Sequence, residues 1–225
     1  LKKFVLENKL NLGIAYDGDG DRCLAIDENG NEIDGDKLLA IISANLRKKG
    51  KLNKDTIVAT VMSNLGLNKY ARDNGLELLQ TKVGDRYVLE EMLKDGFNLG
   101  GEQSGHIILL DYNPTGDGIL TSLMLIQAIL EEDKKASELN EIVKLYPQVL
   151  INAKVNADKK YDYDKNEEIK QAIEKLEKEF AGNGRVLIRP SGTEPLVRVM
   201  IEGEEQEYIT KKAKEIADLI EKNLK

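Results

Sequence analysis

Apolar residues along this chain recur at two periods, and the switches between the periods lay out the elements. Residues 12–16 (LGIAY) and 23–27 (CLAID) read as short apolar strands on either side of a polar run. After the turn at Asp27-Glu28-Asn29-Gly30, Asp34-Gly35-Asp36 introduces a helical pattern over 37–49, and residues 56–61 (TIVATV) read as a buried strand. A helix around 67–73 stops at Asn74-Gly75, a strand follows over 76–81, and a helix over 87–94 stops at Asp95-Gly96. Residues 97–110 hold two strand-like runs around a glycine-rich loop, and Asn113-Pro114-Thr115-Gly116-Asp117-Gly118 leads into the long helix 119–132. Strands alternating with helices at this spacing predict an α/β layer domain over residues 36–145.

Beyond Pro147 the pattern changes. A strand over 149–155 gives way to the Asp/Lys/Tyr-rich stretch 158–165, then to a helix over 167–180 with Ile169, Ile173, Leu176 and Phe180 on one face. Strands at 185–189 and 196–202 flank a loop, and residues 205–224 form a closing helix. That order predicts a small α+β domain over 146–225 with its helices on one sheet face. At the other end, residues 1–10 read as the latter part of an amphipathic helix feeding a strand. Such a unit needs neighbouring strands. Residues 1–35 are therefore expected to be the truncated end of a preceding α/β domain, and the chain a fragment of something longer. There are no internal repeats or low-complexity tracts.

Composition narrows the classes of partner. The 225 residues carry a net charge of −7, with Lys and Glu both abundant, no Trp and no basic stripe, which argues against nucleic acid as a partner. No apolar run approaches membrane-spanning length and no signal peptide is evident, so no membrane partner is expected. Cys23 is the single cysteine and forms no internal disulfide, which suits a reducing, cytoplasmic setting. It reads as a small buried residue on a strand.

Three loops carry chemistry. In Tyr16-Asp17-Gly18-Asp19-Gly20-Asp21-Arg22, three carboxylates alternate with two glycines and an arginine closes the run. Two like charges about 4 Å apart repel by roughly 4 kcal/mol at an effective dielectric near 20, so gathering three on one side calls for a cation. Carboxylates without Cys or His neighbours in sequence suit a hard ion such as Mg²⁺, which keeps positions open for water or a phosphate oxygen. A solvated acidic hairpin tip is the plainer alternative. A calcium loop is another, with Asp17, Asp19, Asp21 and Glu28 at positions one, three, five and twelve, but that loop wants Gly where Arg22 stands, and flanking helices rather than strands.

The second loop is Gly100-Gly101-Glu102-Gln103-Ser104-Gly105-His106. If it is extended, Glu102, Ser104 and His106 point to one side and form a polar face suited to sugar hydroxyls; the alternative is a solvated hairpin with a satisfied core histidine. The third is Arg189-Pro190-Ser191-Gly192-Thr193-Glu194-Pro195 with Arg198 beyond. It offers guanidinium groups, two hydroxyls and exposed backbone N–H groups, the makings of an anion nest, or else an ordinary Pro-bounded turn. It is no nucleotide P-loop, having no Gly-Lys-Ser/Thr and a strand rather than a helix after it. Together the three loops describe a cleft for a phosphorylated sugar.

In order and spacing, DGDGDR, GEQSGH and RPSGTEP resemble the metal, sugar and phosphate loops of the α-D-phosphohexomutases over nearly the whole chain. The resemblance implies an α/β/α layered phosphohexomutase domain followed by a small α+β C-terminal domain, with a remnant of a preceding α/β domain. Gln103, the run Thr81-Lys82-Val83-Gly84-Asp85-Arg86-Tyr87-Val88 and the form RPSGTEPLVRVM are similar to the bacterial phosphoglucosamine mutase branch; phosphomannomutase/phosphoglucomutase members more often carry Met at the position of Gln103. The resemblance further implies that Asp17, Asp19 and Asp21 bind Mg²⁺ with Arg22 beside the reacting phosphate. Glu102 and Ser104 would contact sugar hydroxyls with His106 nearby, and Lys82 and Arg86 would lie in a neighbouring active-site loop. Arg189, Ser191, Gly192 and Thr193, with Arg198 in support, would hold the non-reacting phosphate. The implied reaction interconverts glucosamine 6-phosphate and glucosamine 1-phosphate through an enzyme phosphoserine, towards UDP-N-acetylglucosamine and peptidoglycan precursors. The family's nucleophile sits in a Ser-His-Asn-Pro context, which no serine here has. The expected partners are a phosphorylated hexosamine and the N-terminal half of the same enzyme; oligomeric state is left open, a homodimer being one option.

Overall fold

The computed structural model describes residues 1–225. They divide into two compact units, Leu1–Leu145 and Tyr146–Lys225.

In the first unit a short helix, α1 (Lys2–Glu7), precedes a hairpin of β1 (Leu12–Tyr16) and β2 (Cys23–Asp27), paired antiparallel with Tyr16 opposite Cys23. That register makes the aspartate-rich run the hairpin connection. A two-residue strand, β3 (Glu32–Ile33), adds to the far side of β2. Helix α2 (Gly35–Lys48) starts where the Asp34 carboxylate accepts the Lys37 N–H at 3.1 Å, an N-cap of the kind that contributes about 1 kcal/mol. A second sheet follows in the order β5-β4-β6-β7, from β4 (Thr56–Thr60), β5 (Glu77–Thr81), β6 (Leu99–Gly101) and β7 (Ile107–Leu109). Strand β4 runs parallel to β5 and β6, while β7 turns back antiparallel to β6.

Every residue of β4 is buried, as a central strand covered on both faces requires. Its side chains alternate between two cores. Ile57 and Ala59 join Leu99, Ile107 and Leu109 under α2, α3 (Leu65–Asp73) and α5 (Gly118–Glu132). Val58 and Ile108 pack on the opposite side with Val88 and Met92 of α4 (Asp85–Asp95). The result is an α/β/α sandwich, as the alternation of elements predicts. Helix α3 begins two residues before its expected start because Asn64 caps it, accepting the Gly66 N–H at 2.9 Å. Strand β3 and helix α6 (Ala136–Asn140) escaped prediction, being too short to show a period.

In the second unit, β8 (Gln148–Lys154), β9 (Gly184–Pro190) and β10 (Leu196–Gly203) form an antiparallel sheet of order β8-β10-β9. Val197, Val199 and Ile201 of the central strand face α7 (Glu167–Phe180) and α8 (Gln206–Leu224), meeting Ile169, Leu176, Ile209, Ile216 and Ile220. By the same two-residue period, Arg198 and Glu202 lie on the opposite face from the helices, where fully buried Glu202 meets Arg185 at 2.7 Å. No helix of either unit is long and apolar enough to cross a membrane.

Cys23 is fully buried, and burial pushes its thiol up to about 11, in keeping with a packing role. Asp27 is also fully buried, at the end of β2. It accepts hydrogen bonds from the backbone N–H of Asn29 (3.0 Å) and Asn31 (2.8 Å) and from the Asn140 amide (2.8 Å), tying the β2–β3 turn to α6. Burial alone would raise its carboxyl pKa, but these hydrogen bonds outweigh it and the net shift is downward. A depressed carboxylate contributes stability above the unfolded pKa near 3.9 and loses it as pH falls through the folded value. Asp27→Asn is therefore expected to cost about 1–3 kcal/mol at neutral pH and to flatten the acid loss of stability between about pH 5 and pH 3, read from urea midpoints across that range.

Candidate active site

The hairpin connection of the first unit brings one carboxylate oxygen from each of Asp17, Asp19 and Asp21 within 4.8 Å of one another. Asp17 and Asp19 are exposed and Asp21 is half-buried. Local contacts hold the turn: the Arg22 N–H donates to Asp17 at 3.2 Å, and its guanidinium Nε lies 3.7 Å from the same carboxylate. Asp21 is fixed from outside the loop. Its Oδ2 lies 2.9 Å from His106 Nδ1, and His106 is only 4% exposed. His106 Nε2 accepts the Gly116 N–H at 3.2 Å, which places the ring proton on Nδ1, where it is donated to Asp21.

Burial of Asp21 would raise its carboxyl pKa; contact with His106, with help from Asp17 and Arg22, holds it net below the usual range. Its second oxygen, Oδ1, is buried and accepts no hydrogen bond. An ionised, half-satisfied carboxylate beside two others is costly unless a cation neutralises it. An all-oxygen anionic set fits a hard divalent ion such as Mg²⁺.

The backbone around this loop is locked to two other segments. Arg22 bridges to His106, the Cys23 N–H donates to Gly105 O at 3.0 Å, and the Gly118 N–H donates to Gly20 O at 3.0 Å. Gly105 has φ +91°, and a Cβ there would lie 2.2 Å from Cys23 O, so this contact admits only glycine. A Cβ on Gly116 would come within 2.4 Å of the His106 ring. The contribution of Gly116 and Gly118 was not foreseen, because it depends on tertiary approach rather than on any local pattern.

The glycine-rich second loop is not extended. The Gly105 N–H donates to Glu102 O at 3.0 Å and the Glu102 N–H to His106 O at 2.9 Å, which makes residues 102–106 a tight hairpin turn. Of the two readings of this loop, the hairpin is therefore the one observed, and the single polar face of Glu102, Ser104 and His106 is not: the chain reverses within those residues, and each has its own surroundings. Ser104 is exposed, and His106 is buried against Asp21. Glu102 is half-buried and accepts the Gly84 N–H at 3.1 Å, joining this turn to the β5–α4 connection. Gln103 anchors the turn to the start of α2, its carbonyl accepting the Gly35 N–H at 3.0 Å. Lys82 is exposed in the β5–α4 connection; Arg86 is exposed too, with its guanidinium on Glu90 of its own helix at 2.7 Å. The first unit thus gathers residues 17–22, 84 and 102–106, whereas the Arg86 side chain follows α4.

In the second unit, residues 191–195 connect β9 and β10. The Ser191 N–H donates to Leu196 O at 2.8 Å, and Ser191 Oγ accepts the Glu194 N–H at 3.3 Å, so the turn is closed from within. Ser191 is buried while Gly192 and Thr193 are exposed. Arg189 and Arg198 stand directly opposite each other on the paired strands. Burial first, and then the charge of Arg198, lowers the pKa of Arg189. Arg198 Nε is buried without a hydrogen-bond partner, and its Nη2 lies 3.8 Å from Glu194. Two arginines paired across the strands that flank this turn suit a bound anion.

A family model described as "Phosphoglucomutase/phosphomannomutase, alpha/beta/alpha domain III" matches residues 34–146, and "Phosphoglucomutase/phosphomannomutase, C-terminal domain" matches residues 150–219. Curated phosphoglucosamine mutases from Ruminiclostridium cellulolyticum and Caldicellulosiruptor saccharolyticus are each 58% identical over 224 residues, covering 100% of this chain and 50% of the relative. The chain thus spans about half the length of the curated relatives it matches. Among solved structures, the N-acetylphosphoglucosamine mutase of Aspergillus fumigatus shares the fold at a TM-score of 0.77 and 22% identity, over 93% of this chain and 48% of that one. The complex of that enzyme with GlcNAc-6P and magnesium superposes with a TM-score of 0.74 at 20% identity, over 94% of this chain and 49% of that one. With matches spanning both units, the chain belongs to the phosphoglucomutase/phosphomannomutase family.

Proposed function

We propose that this chain is the C-terminal half of a phosphoglucosamine mutase, which interconverts glucosamine 6-phosphate and glucosamine 1-phosphate. The observation that carries the reading is the aspartate hairpin, with Asp21 pinned by buried His106 and its second oxygen unsatisfied. The 58% identity to curated phosphoglucosamine mutases supports the choice of sugar.

In this reading residues 1–35 complete a preceding domain, and residues 36–145 and 146–225 supply the sugar and phosphate subsites. Asp17, Asp19 and Asp21 hold Mg²⁺, which when bound offsets negative charge on the transferring phosphoryl group. Arg22 adds a fixed guanidinium beside that group. Glu102 and Ser104 accept from and donate to sugar hydroxyls; His106 keeps Asp21 oriented and ionised. Lys82 contributes charge from the β5–α4 connection, and Arg86 joins it only on leaving Glu90. Arg189, Ser191, Gly192 and Thr193, supported by Arg198, hold the phosphate that does not react.

The chemistry is two phosphoryl transfers. A sugar hydroxyl oxygen bonds to phosphorus as the bond to the enzyme's serine oxygen breaks, which leaves a bisphosphorylated sugar. After that intermediate turns over, the serine oxygen bonds to the other phosphorus and the sugar oxygen leaves. Phosphoryl transfer depends chiefly on positioning and charge neutralisation, which these residues are suited to provide. The serine belongs to the N-terminal half, so both halves are required, in the cytoplasm where sugar phosphates reside.

Magnesium titration by calorimetry should show one site on the 225-residue chain, and Asp19→Ala, at an exposed position, should weaken it at least about tenfold without lowering the melting temperature. Unchanged affinity would contradict the assignment. In a coupled assay primed with glucose 1,6-bisphosphate, the chain alone should give no turnover and the complete protein should turn over glucosamine phosphates faster than mannose phosphates. Normal turnover by the chain alone would refute the placement of the nucleophile, and a preference for mannose phosphates would move the protein to a different branch of the family.

A further inference from the structure

Lys160 sits in the Asp/Lys/Tyr-rich stretch between β8 and α7, far in sequence from the turn 191–195. Its ammonium nevertheless donates to Ser191 O at 2.8 Å and to Gly192 O at 3.4 Å. The side chain is half-buried, and its Nζ lies 5.2 Å from the centre of the Tyr161 ring, so it has a second neighbour that limits its swing. All of these residues belong to the second unit.

A trans peptide is planar, with its C=O and N–H pointing in opposite directions. The Ser191 carbonyl shares a peptide plane with the Gly192 N–H, and the Gly192 carbonyl shares one with the Thr193 N–H. A cation that draws both carbonyls to one side therefore turns both N–H groups to the other. Neither of those N–H groups donates to a protein acceptor, whereas the flanking Ser191 and Glu194 N–H groups do. Gly192 and Thr193 are exposed, which leaves room at the loop for an anion to reach these two donors. Consecutive N–H groups presented in this way make an anion nest.

We infer that Lys160 is the positioning residue of the phosphate nest: by gripping the Ser191 and Gly192 carbonyls from behind, it aims the Gly192 and Thr193 N–H groups at an incoming phosphate. The role rests on the proposed reading of residues 189–193 as a phosphate site. Lys160 acts from behind the loop and does not itself touch the anion. Nothing in the spacing of the sequence pairs Lys160 with the RPSGTEP turn, because the link is a side chain reaching across to backbone carbonyls.

The test is titration of the ¹⁵N-labelled 225-residue chain with inorganic phosphate, following the amide signals of Arg189, Ser191, Gly192 and Thr193 in the wild type, Lys160→Met and Lys160→Arg. The wild type should show saturable shifts at Gly192 and Thr193. Lys160→Met should melt at the wild-type temperature yet bind phosphate about tenfold more weakly, with the Gly192 and Thr193 shifts lost. Lys160→Arg, which keeps a charged donor, should recover most of both. Wild-type affinity and shifts in Lys160→Met would overturn the positioning role while leaving the phosphate site standing. No response at residues 189–193 even in the wild type would overturn the phosphate reading, and the role of Lys160 with it.

Discussion

Mutual repulsion of three aspartates is the constraint around which the first unit is arranged. Asp17, Asp19 and Asp21 meet at the connection of a hairpin, where like charges repel, and half-buried Asp21 is the least screened of the three. The fold restrains two of them. Arg22 holds Asp17 through its own N–H and guanidinium, and His106 holds Asp21 through a hydrogen bond from a buried ring. Asp19 has no such restraint.

The supporting structure follows from those restraints. His106 can serve Asp21 only if its ring is oriented, which the Gly116 N–H accomplishes from the segment ahead of α5. The ring must also lie close to the hairpin, which requires Gly105 at positive φ against the Cys23 carbonyl. Glu102 and Gln103 then tie the same turn to the Gly84 loop and to the start of α2. The second unit has the opposite polarity: Arg189 and Arg198 are paired across β9 and β10, as cations are where an anion is to be held. The anionic loop of the first unit suits a divalent ion, and the cationic turn of the second suits an anion.

Much of this was legible in the sequence, and the failures have physical causes. Residues 12–16 and 23–27 were readable as strands because their apolar runs end sharply at the aspartates, and β1 and β2 occupy those residues. Residues 196–202 were readable as a strand, and β10 occupies Leu196–Gly203. For the second loop two readings stood open, because alternation of polar residues is informative only in extended backbone; the Gly105 N–H closes a turn onto Glu102 and gives the hairpin with a buried histidine. His106 was recognised as a candidate, but its attachment to Asp21 spans 85 positions and leaves no local trace. The β2–β3 turn network centred on Asp27 was likewise hidden, since Asn140 joins it from α6, an element too short to detect.

The central claim is that the hairpin connection between β1 and β2 is a divalent-cation site whose geometry His106 maintains. Paramagnetic Mn²⁺ added in substoichiometric amounts to the ¹⁵N-labelled chain measures it most directly. The account predicts selective broadening of the amide signals of Asp19, Asp21, Arg22 and His106, reversed by excess Mg²⁺. Broadening scattered over acidic surface positions such as Glu131 and Glu177, with the hairpin no more affected than the rest, would contradict it.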